Sequence, residues 1–555
     1  MRRSPLVQRL EITSRILLLA GAMPARAHGP RHFSKPDVPA SLMPEWSALS
    51  PVDKLLFQPA TETTSGMLHS GLPEWVSVVT LALCCAISIW FLLFGMGDRQ
   101  LNTTRSLQLP FLIRSVRLRI TLKILAALLF VLAIYGGLNG VHWPEINLAT
   151  ILVWHWWWPL VVISVFLFGS FWCTICPWNS FAQWLTPGKL KGTLPAPRWL
   201  KTIYPALALF LGFTWLELGW GLAHDPAATA WLSLAILLLS LLFILRYEKR
   251  IFCRSVCPVG RTLGFYSRLA PVGVSPTAQS VCDSCTTLDC YYGSGTTEPC
   301  PTSLAIGRTP QNTYCISCGN CAISCPHNNV TWGLRSLAAE AEARPRRDES
   351  LFMLVLLGVT LFHGMSMLPG FPIVLHHLAD FLGENGKPMW ATLILLLTTQ
   401  LPVLALYGLA IITIQRLSAT PSTAPKAIFD RLAFSSLPIT FSYHIAHNLG
   451  HLSRERAGLG DAILNPTGAG REPADMMQWH RYMTNPWLPD AMVHLLQGSI
   501  IFAGFALSVR ILWRRGVAHG GEFPAGWRLS PMLGFVFLST WLSLWLLSQN
   551  MLMRF

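Results

Sequence analysis

Long apolar runs, separated by short polar stretches, dominate this chain, and neither an alternating strand pattern nor a polar helical face interrupts them for long. Ten runs are long enough to cross a hydrocarbon layer of roughly 30 Å as helices. They lie near 75–96, 120–140, 150–172, 203–223, 229–246, 351–371, 389–415, 430–452, 489–513 and 531–550. Ahead of them, a basic stretch from Arg2 to Arg15, a short apolar run from Ile16 to Met23 and the small-residue site Ala25-Arg26-Ala27 read as an export signal over 1–27. The pattern predicts an all-α polytopic membrane protein with about ten transmembrane helices.

Composition agrees, because 52% hydrophobic and 12% charged residues over 555 positions exceed what a soluble core can bury. The net charge of +15 would point to nucleic acid in a soluble chain. Here it orients helices, so no nucleic-acid partner is implied. With the mature chain starting outside, alternate loops fall in the cytoplasm, and they carry Arg99, Arg105, Arg114, Arg117, Arg119, Lys189, Lys191, Arg246, Lys249, Arg250, Arg344, Arg346, Arg347, Arg510, Arg514 and Arg515. Arg454, Arg456 and Arg471 are the main external exceptions. This asymmetry predicts a multi-pass protein of the bacterial inner (cytoplasmic) membrane with residues 253–326 inside. The expected divisions are the signal peptide 1–27, a periplasmic segment 28–74, an N-terminal membrane domain 75–250, a cytoplasmic module 251–335 and a C-terminal histidine-rich membrane domain 351–555.

Cysteine spacing supplies the chemistry. Of fourteen cysteines, all but Cys84 and Cys85 fall in close groups, which is the usage of metal ligation and not of structural disulfides. Cys315, Cys318, Cys321 and Cys325-Pro326 form the C-x₂-C-x₂-C-x₃-C-P run of bacterial ferredoxins. Upstream, Cys282, Cys285, Cys290 and Cys300-Pro301 form a stretched version. In two-cluster ferredoxins the fourth cysteine of each run serves the other cluster. That rule assigns Cys282, Cys285, Cys290 and Cys325 to one [4Fe–4S] cluster and Cys315, Cys318, Cys321 and Cys300 to a second. A single cluster beside a degenerate or zinc-binding half is the other reading of the stretched spacings.

Two further pairs, Cys173 with Cys176-Pro177 and Cys253 with Cys257-Pro258, follow apolar helices directly. Four thiols there could hold an iron or zinc ion, form a reversible dithiol pair, or pack as small apolar side chains. Arg254 and Arg261 beside the second pair are expected to lower its thiol pKa. With these motifs in this order, residues 75 to 335 resemble the NapH/NosR/CcoG-type membrane polyferredoxins. Their pattern is paired C-x₃-C-P motifs at helix ends followed by a two-cluster ferredoxin-like module, although the first pair here has two intervening residues instead of three.

Beyond 351, His444, His447 and His451 share one helix face, expected in the outer half of the membrane, with His363 and His494 on other helices and His376 and His377 in an external loop. Imidazoles in that setting suit haem b ligation, a copper site or a proton path beside a quinol pocket, or else simply bond neighbouring helices. His28, His32 and His69 add a weaker copper hint. Trp154, Trp156, Trp157 and Trp158 read as an aromatic belt at the outer interface.

The resemblance implies an electron-transfer protein that links the quinone pool, or a periplasmic or cytoplasmic redox partner, to two cytoplasmic [4Fe–4S] clusters. A CcoG-like cupric reductase or copper-site assembly factor, and a redox-sensing scaffold subunit, are the alternatives.

Overall fold

The computed structural model describes residues 68–96, 114–186, 192–309, 311–335, 337, 340, 343, 346–417, 425–454, 458–472, 487–517 and 526–552. The expected signal peptide, His28, His32 and most of the 28–74 segment lie outside the described residues, as do Arg99, Arg105, Lys189, Lys191, Arg344 and Arg456. What is described is mostly helical. Strand β1 (Leu68–His69) is followed by helices α1 (Glu74–Phe94), α2 (Val116–Asn139), α3 (Trp158–Phe168), α4 (Pro177–Trp184), α5 (Tyr204–Leu216), α6 (Pro226–Arg246) and α7 (Pro258–Ser267). Then come strands β2 (Val272–Pro276) and β3 (Val330–Leu334), helices α8 (Arg347–Ser366), α9 (Phe371–Phe381), α10 (Met389–Leu417), α11 (Leu437–Arg454), α12 (Asp490–Val517) and α13 (Ser530–Ser548), and strand β4 (Met551–Leu552).

Nine helical stretches among the described residues are long and apolar enough to cross a bilayer. The tenth expected span, 430–452, holds a helix, α11, but its threonine, serines, asparagine and three histidines leave it too polar to count among the nine. It tolerates them because it is enclosed, with nearly every residue from Leu437 to Ser453 buried by neighbouring helices. Small residues let those neighbours close in: a Cβ on Gly504 of α12 would stand 2.1 Å from the Ser442 hydroxyl, and one on Gly364 of α8 would collide with the Tyr443 phenol. At the other extreme, α2 shows Ile120, Ile124, Leu125, Leu128 and Val131 at its surface, the apolar wall that lipid would cover. β1 pairs with β4 and so joins the start of the described chain to its end.

The span expected at 150–172 lies within the helical stretch Leu148–Trp184, which carries more chain than one crossing needs. Helix α3 stops at Phe168, where Gly169 adopts φ 57°, a left-handed conformation that glycine reaches without a Cβ penalty. The chain then turns inward: Trp178 packs edge-on against Phe130, with ring centroids 6.3 Å apart, and its indole N–H donates to the Ser233 carbonyl at 3.0 Å. Phe130 stands about 21 Å along α2 from Val116 at 1.5 Å rise per residue. Residues 169–184 therefore re-enter the bundle, carrying Cys173 and Cys176 with them. Helix α7 does the same after Cys257-Pro258, and all ten of its residues except Val259 are buried.

A charged junction fastens the β2–β3 layer to α8. Arg268, 2% exposed, sits between Glu340 at 3.7 Å and Glu349 at 3.5 Å, with its guanidinium 4.2 Å above the Phe434 ring. Glu349 also accepts from the Tyr314 hydroxyl at 2.8 Å. Because removing one partner strands a buried charge, Glu349→Ala should cost about 3–5 kcal/mol of stability. Thermal unfolding in detergent would show it as a clear drop in midpoint, and an unchanged midpoint would show that the junction carries no load. For topology, phosphatase fused after Leu337 should be inactive and after Gly386 active; the opposite pattern would invert the expected orientation.

Candidate metal centre

The eight cysteines of the two runs lie between β2 and β3, which pair antiparallel with Val272 opposite Leu334 and Pro276 opposite Val330. This ribbon brings both runs onto one small core of Val272, Val274, Ile306, Ala322, Val330 and Trp332, against which Cys290, Cys315, Cys321 and Cys325 pack. Trp332 in turn lies nearly parallel to Phe168 and Phe171, at 6.1 and 6.2 Å, so the ribbon is seated on the end of α3.

The thiols sort into two hollows. Cys300, Cys315, Cys318 and Cys321 line one of about 370 Å³ including its open mouth, and Cys282, Cys285, Cys290 and Cys325 line another of about 430 Å³. Each hollow thus takes three cysteines from one run and the Cys-Pro cysteine of the other. Ile306 lines both, so they share a wall. Backbone makes this possible at two points: Ser317 and Gly319 both take positive φ, 54° and 77°, which curls the chain around the first hollow.

The sulfurs already receive donors. The N–H groups of Leu304, Ser317 and Asn329 point to Sγ of Cys300, Cys315 and Cys325 at 3.3, 3.3 and 3.4 Å, and the Asn329 amide donates to Cys282 Sγ at 3.3 Å. Donors aimed at sulfur favour thiolate over thiol. Burial works the other way, pushing Cys315 up to about 12 and Cys321 well above the ordinary thiol value. Cys285 goes down, held by the Leu288 N–H first and then by the Thr287 hydroxyl. Such an arrangement is costly to keep ionised without a positive core between the sulfurs, which is the donor set an iron–sulfur cluster fits. Among the described residues no group of three or more His, Cys, Asp or Glu forms a ready-made single-ion site. A cubane makes a different demand, since each thiolate meets its own iron and the thiols stand around a hollow without converging.

Cations border the first hollow. Arg119 of α2 donates to the Cys318 carbonyl, and Arg250 lies close to Cys318. Sequence reading had used both only to orient the chain, since nothing in the spacing of α2 announces a contact 199 positions away.

The two Cys-Pro pairs come together. Cys173 and Cys176 each lie close enough to Cys253 and Cys257 for their charges to interact, and Cys173 also neighbours Cys315. The expected acidification of the second pair does not hold. Burial pushes Cys257 up to about 12 and raises Cys253, outweighing Arg250 and Arg261. Arg254 is engaged elsewhere, donating to the Thr302 and Ser303 carbonyls and lying 5.2 Å from the Tyr314 ring.

Two of the tryptophans, each half-buried, pack against the re-entrant segment and α11. Trp157 sits 5.9 Å from Trp158, 5.7 Å from Trp172 and 5.6 Å from Trp178, and Trp158 sits 5.5 Å from His444. For Trp157 and Trp158 this replaces the expected outer belt, because the re-entrant segment turns Trp172 and Trp178 back onto them. His444 Nδ1 shares a hydrogen bond with the Tyr266 hydroxyl at 2.9 Å. The first histidine is therefore tied to α7, nine residues beyond Cys257, and not to an outer loop. His447 and His451 follow on the same helix with rings 4.6 Å apart, and His494 is buried on α12. His363 stands apart, 3.6 Å from Glu217, while His376 and His377 lie exposed on α9, a helix where a loop had been expected.

A protein of Escherichia coli (strain K12) named "Putative electron transport protein YccM" is 27% identical to this chain over 155 residues, which is 26% of this chain and 40% of that protein. The match thus spans well under half of the relative's length. No protein-family model matches the chain, and no solved structure matches it.

Gly307 gives a test of the second hollow. A Cβ there would lie 2.5 Å from Cys282 Sγ, so Gly307→Ala must turn that thiol aside. Iron bound per chain in anaerobically purified protein should fall by about half of what the two hollows hold. Unchanged iron would remove Cys282 as a ligand.

Proposed function

We propose that this chain is a membrane-integral electron-transfer protein of the bacterial inner membrane whose two hollows each hold a [4Fe–4S] cluster on the cytoplasmic side. The observation that carries the reading is the sorting of eight cysteines into two sets of four, each completed by the Cys-Pro cysteine of the other run, around a shared Ile306 wall. Bound there, the clusters would supply one-electron oxidation and reduction. The rest falls to the chain's own groups. Backbone N–H groups and the Asn329 amide donate to the sulfurs that would ligate the clusters, Arg119 and Arg250 stand beside the first hollow to offset negative charge, and Val274 of β2 and Val330 of β3 help line the two hollows. The electron-transport name of the Escherichia coli relative supports the same class of activity.

Towards the bundle, the Cys-Pro quartet next to Cys315 and the aromatic contacts from Trp172 through Trp157 and Trp158 to His444 offer a continuous packed path. We read His444, His447 and His451 as the end that meets quinol or quinone, because the Tyr266–His444 bond pairs a phenol with an imidazole as a proton path would. A haem b or copper ion on that face is the other reading, and metal analysis with a visible spectrum decides between them.

Two paired changes test the clusters. Cys285→Ser with Cys290→Ser, and separately Cys318→Ser with Cys321→Ser, should each remove about four irons and four acid-labile sulfides per chain. If neither pair changes either count, the cluster reading fails. His447→Ala should leave iron unchanged yet slow reoxidation of the reduced protein by a soluble quinone at least tenfold. An unaltered rate in protein with full iron would leave the histidines as packing.

A further inference from the structure

Arg261 is fully buried, at 0% exposure, yet among the described residues no carboxylate pairs with it. Its Nη1 donates to the Thr313 carbonyl at 2.7 Å and its Nη2 to the Cys253 carbonyl at 2.9 Å, while its Nε is buried without a hydrogen-bond partner. The guanidinium lies 5.0 Å from the Tyr314 ring. A formal positive charge in such a place needs a nearby anion to offset its lost hydration. Carbonyl dipoles and a ring face offset only part of it. The groups around it that can become anionic are the Tyr314 phenol, which donates its proton to Glu349, and the thiols Cys173, Cys253 and Cys257, with Cys176 against the same three.

Protonated thiols are neutral, and a disulfide is neutral too, so neither packing nor a dithiol pair supplies the missing charge. Four thiolates on a divalent metal core carry a net negative charge and do supply it. The surroundings hold further unused donors. Among the described residues, the Ser255 hydroxyl, between the second pair of cysteines, and the Ser180 hydroxyl, just beyond the first, are both buried with no hydrogen-bond partner, as is the Trp172 indole N–H beside Cys173. Donors left over around a thiol cluster are what thiolate or sulfide sulfur would use.

We infer that Cys173, Cys176, Cys253 and Cys257 together hold a third, thiolate-ligated iron–sulfur cluster whose negative charge is balanced by Arg261. Iron is the metal the position calls for, because the quartet adjoins Cys315 of the first hollow on one side and the Trp157 group on the other, where only a redox-active ion would be of use. That choice of metal rests on the electron-transfer reading; the charge argument for a metal does not. Arg261 acts as a positioning residue. It touches the quartet's backbone at Cys253 and the first hollow's run at Thr313, so it also fixes the spacing between the two.

The test uses full-length protein purified anaerobically in detergent, with iron, zinc and acid-labile sulfide counted per chain. Cys253→Ser with Cys257→Ser should lower iron while both ferredoxin-run clusters stay intact, as judged by their electron paramagnetic resonance signals. In the complementary chain lacking Cys285, Cys290, Cys318 and Cys321, each replaced by Ser, the quartet's iron should remain. Sulfide in step with that residual iron identifies a cluster, which is the centre inferred, whereas iron without sulfide, a single ion, would overturn it. Failure of the two-cluster reading would appear in the other variants, as iron unaffected by changes at Cys285, Cys290, Cys318 or Cys321, so the two outcomes are separable. Iron unchanged by the Cys253 and Cys257 changes, zinc in place of iron, or a Cys173–Cys176 or Cys253–Cys257 disulfide found by peptide mapping would each overturn the inference. Arg261→Gln should shift the quartet's reduction potential downward, with Arg261→Lys restoring part of the shift. An Arg261→Gln protein of full iron content and unshifted potential would remove the arginine from the account.

Discussion

Backbone that leaves helical geometry inside an apolar bundle must find hydrogen-bond partners within the protein, and in this chain buried and half-buried arginines provide them. Arg261 holds the carbonyls of Cys253 and Thr313, Arg254 those of Thr302 and Ser303, and Arg119 that of Cys318. Arg335 holds Ser267 and Ala270, while Arg515 holds Arg431 and Ala343. A guanidinium suits this because its five donors form a rigid fork that reaches two strands of loop at once. Each such arginine costs desolvation, and each lets an irregular, cysteine-bearing segment sit where helices alone would otherwise be required.

That constraint shapes the distance problem any transmembrane electron carrier faces. A bilayer core of roughly 30 Å is too thick for one tunnelling step between surface groups. Folding residues 169–184 and helix α7 back into the bundle moves Cys173, Cys176 and Tyr266 inward, until Tyr266 bonds His444 directly. Trp157 then fills the space among Trp158, Trp172 and Trp178. The cysteine side and the histidine side, far apart as helix ends on a linear map, become neighbours through re-entrant chain.

The ribbon of β2 and β3 depends on the same logic from the other direction. Its core is too small to stand alone by burial, so it leans on Phe168 and Phe171 through Trp332 and on α8 through the Arg268–Glu349 junction. The cysteine runs are held in register by the membrane helices as much as by each other, which explains why Arg119 of α2 reaches Cys318.

Hydropathy alone determined that this chain is a multi-helix membrane protein, because apolar runs of bilayer length have few other uses, and cysteine spacing, taken with the two-cluster ferredoxin rule, named the same two sets of four that line the two hollows. Hydropathy understates α11, where enclosure by neighbours permits polar residues that a lipid-facing helix would not, and hydropathy cannot see neighbours. Only the tertiary structure decided that the Cys-Pro pairs converge, that Trp157 and Trp158 face inward, and that His444 belongs with Tyr266. These depend on the reversal at Gly169 and on the burial of α7, and a reversal inside an apolar stretch leaves the hydrophobic pattern unchanged. The effect of Arg261 on the thiols was also beyond the sequence: adjacency promises an acidifying charge, but burial, which outweighs it at Cys257, is a property of the packed fold.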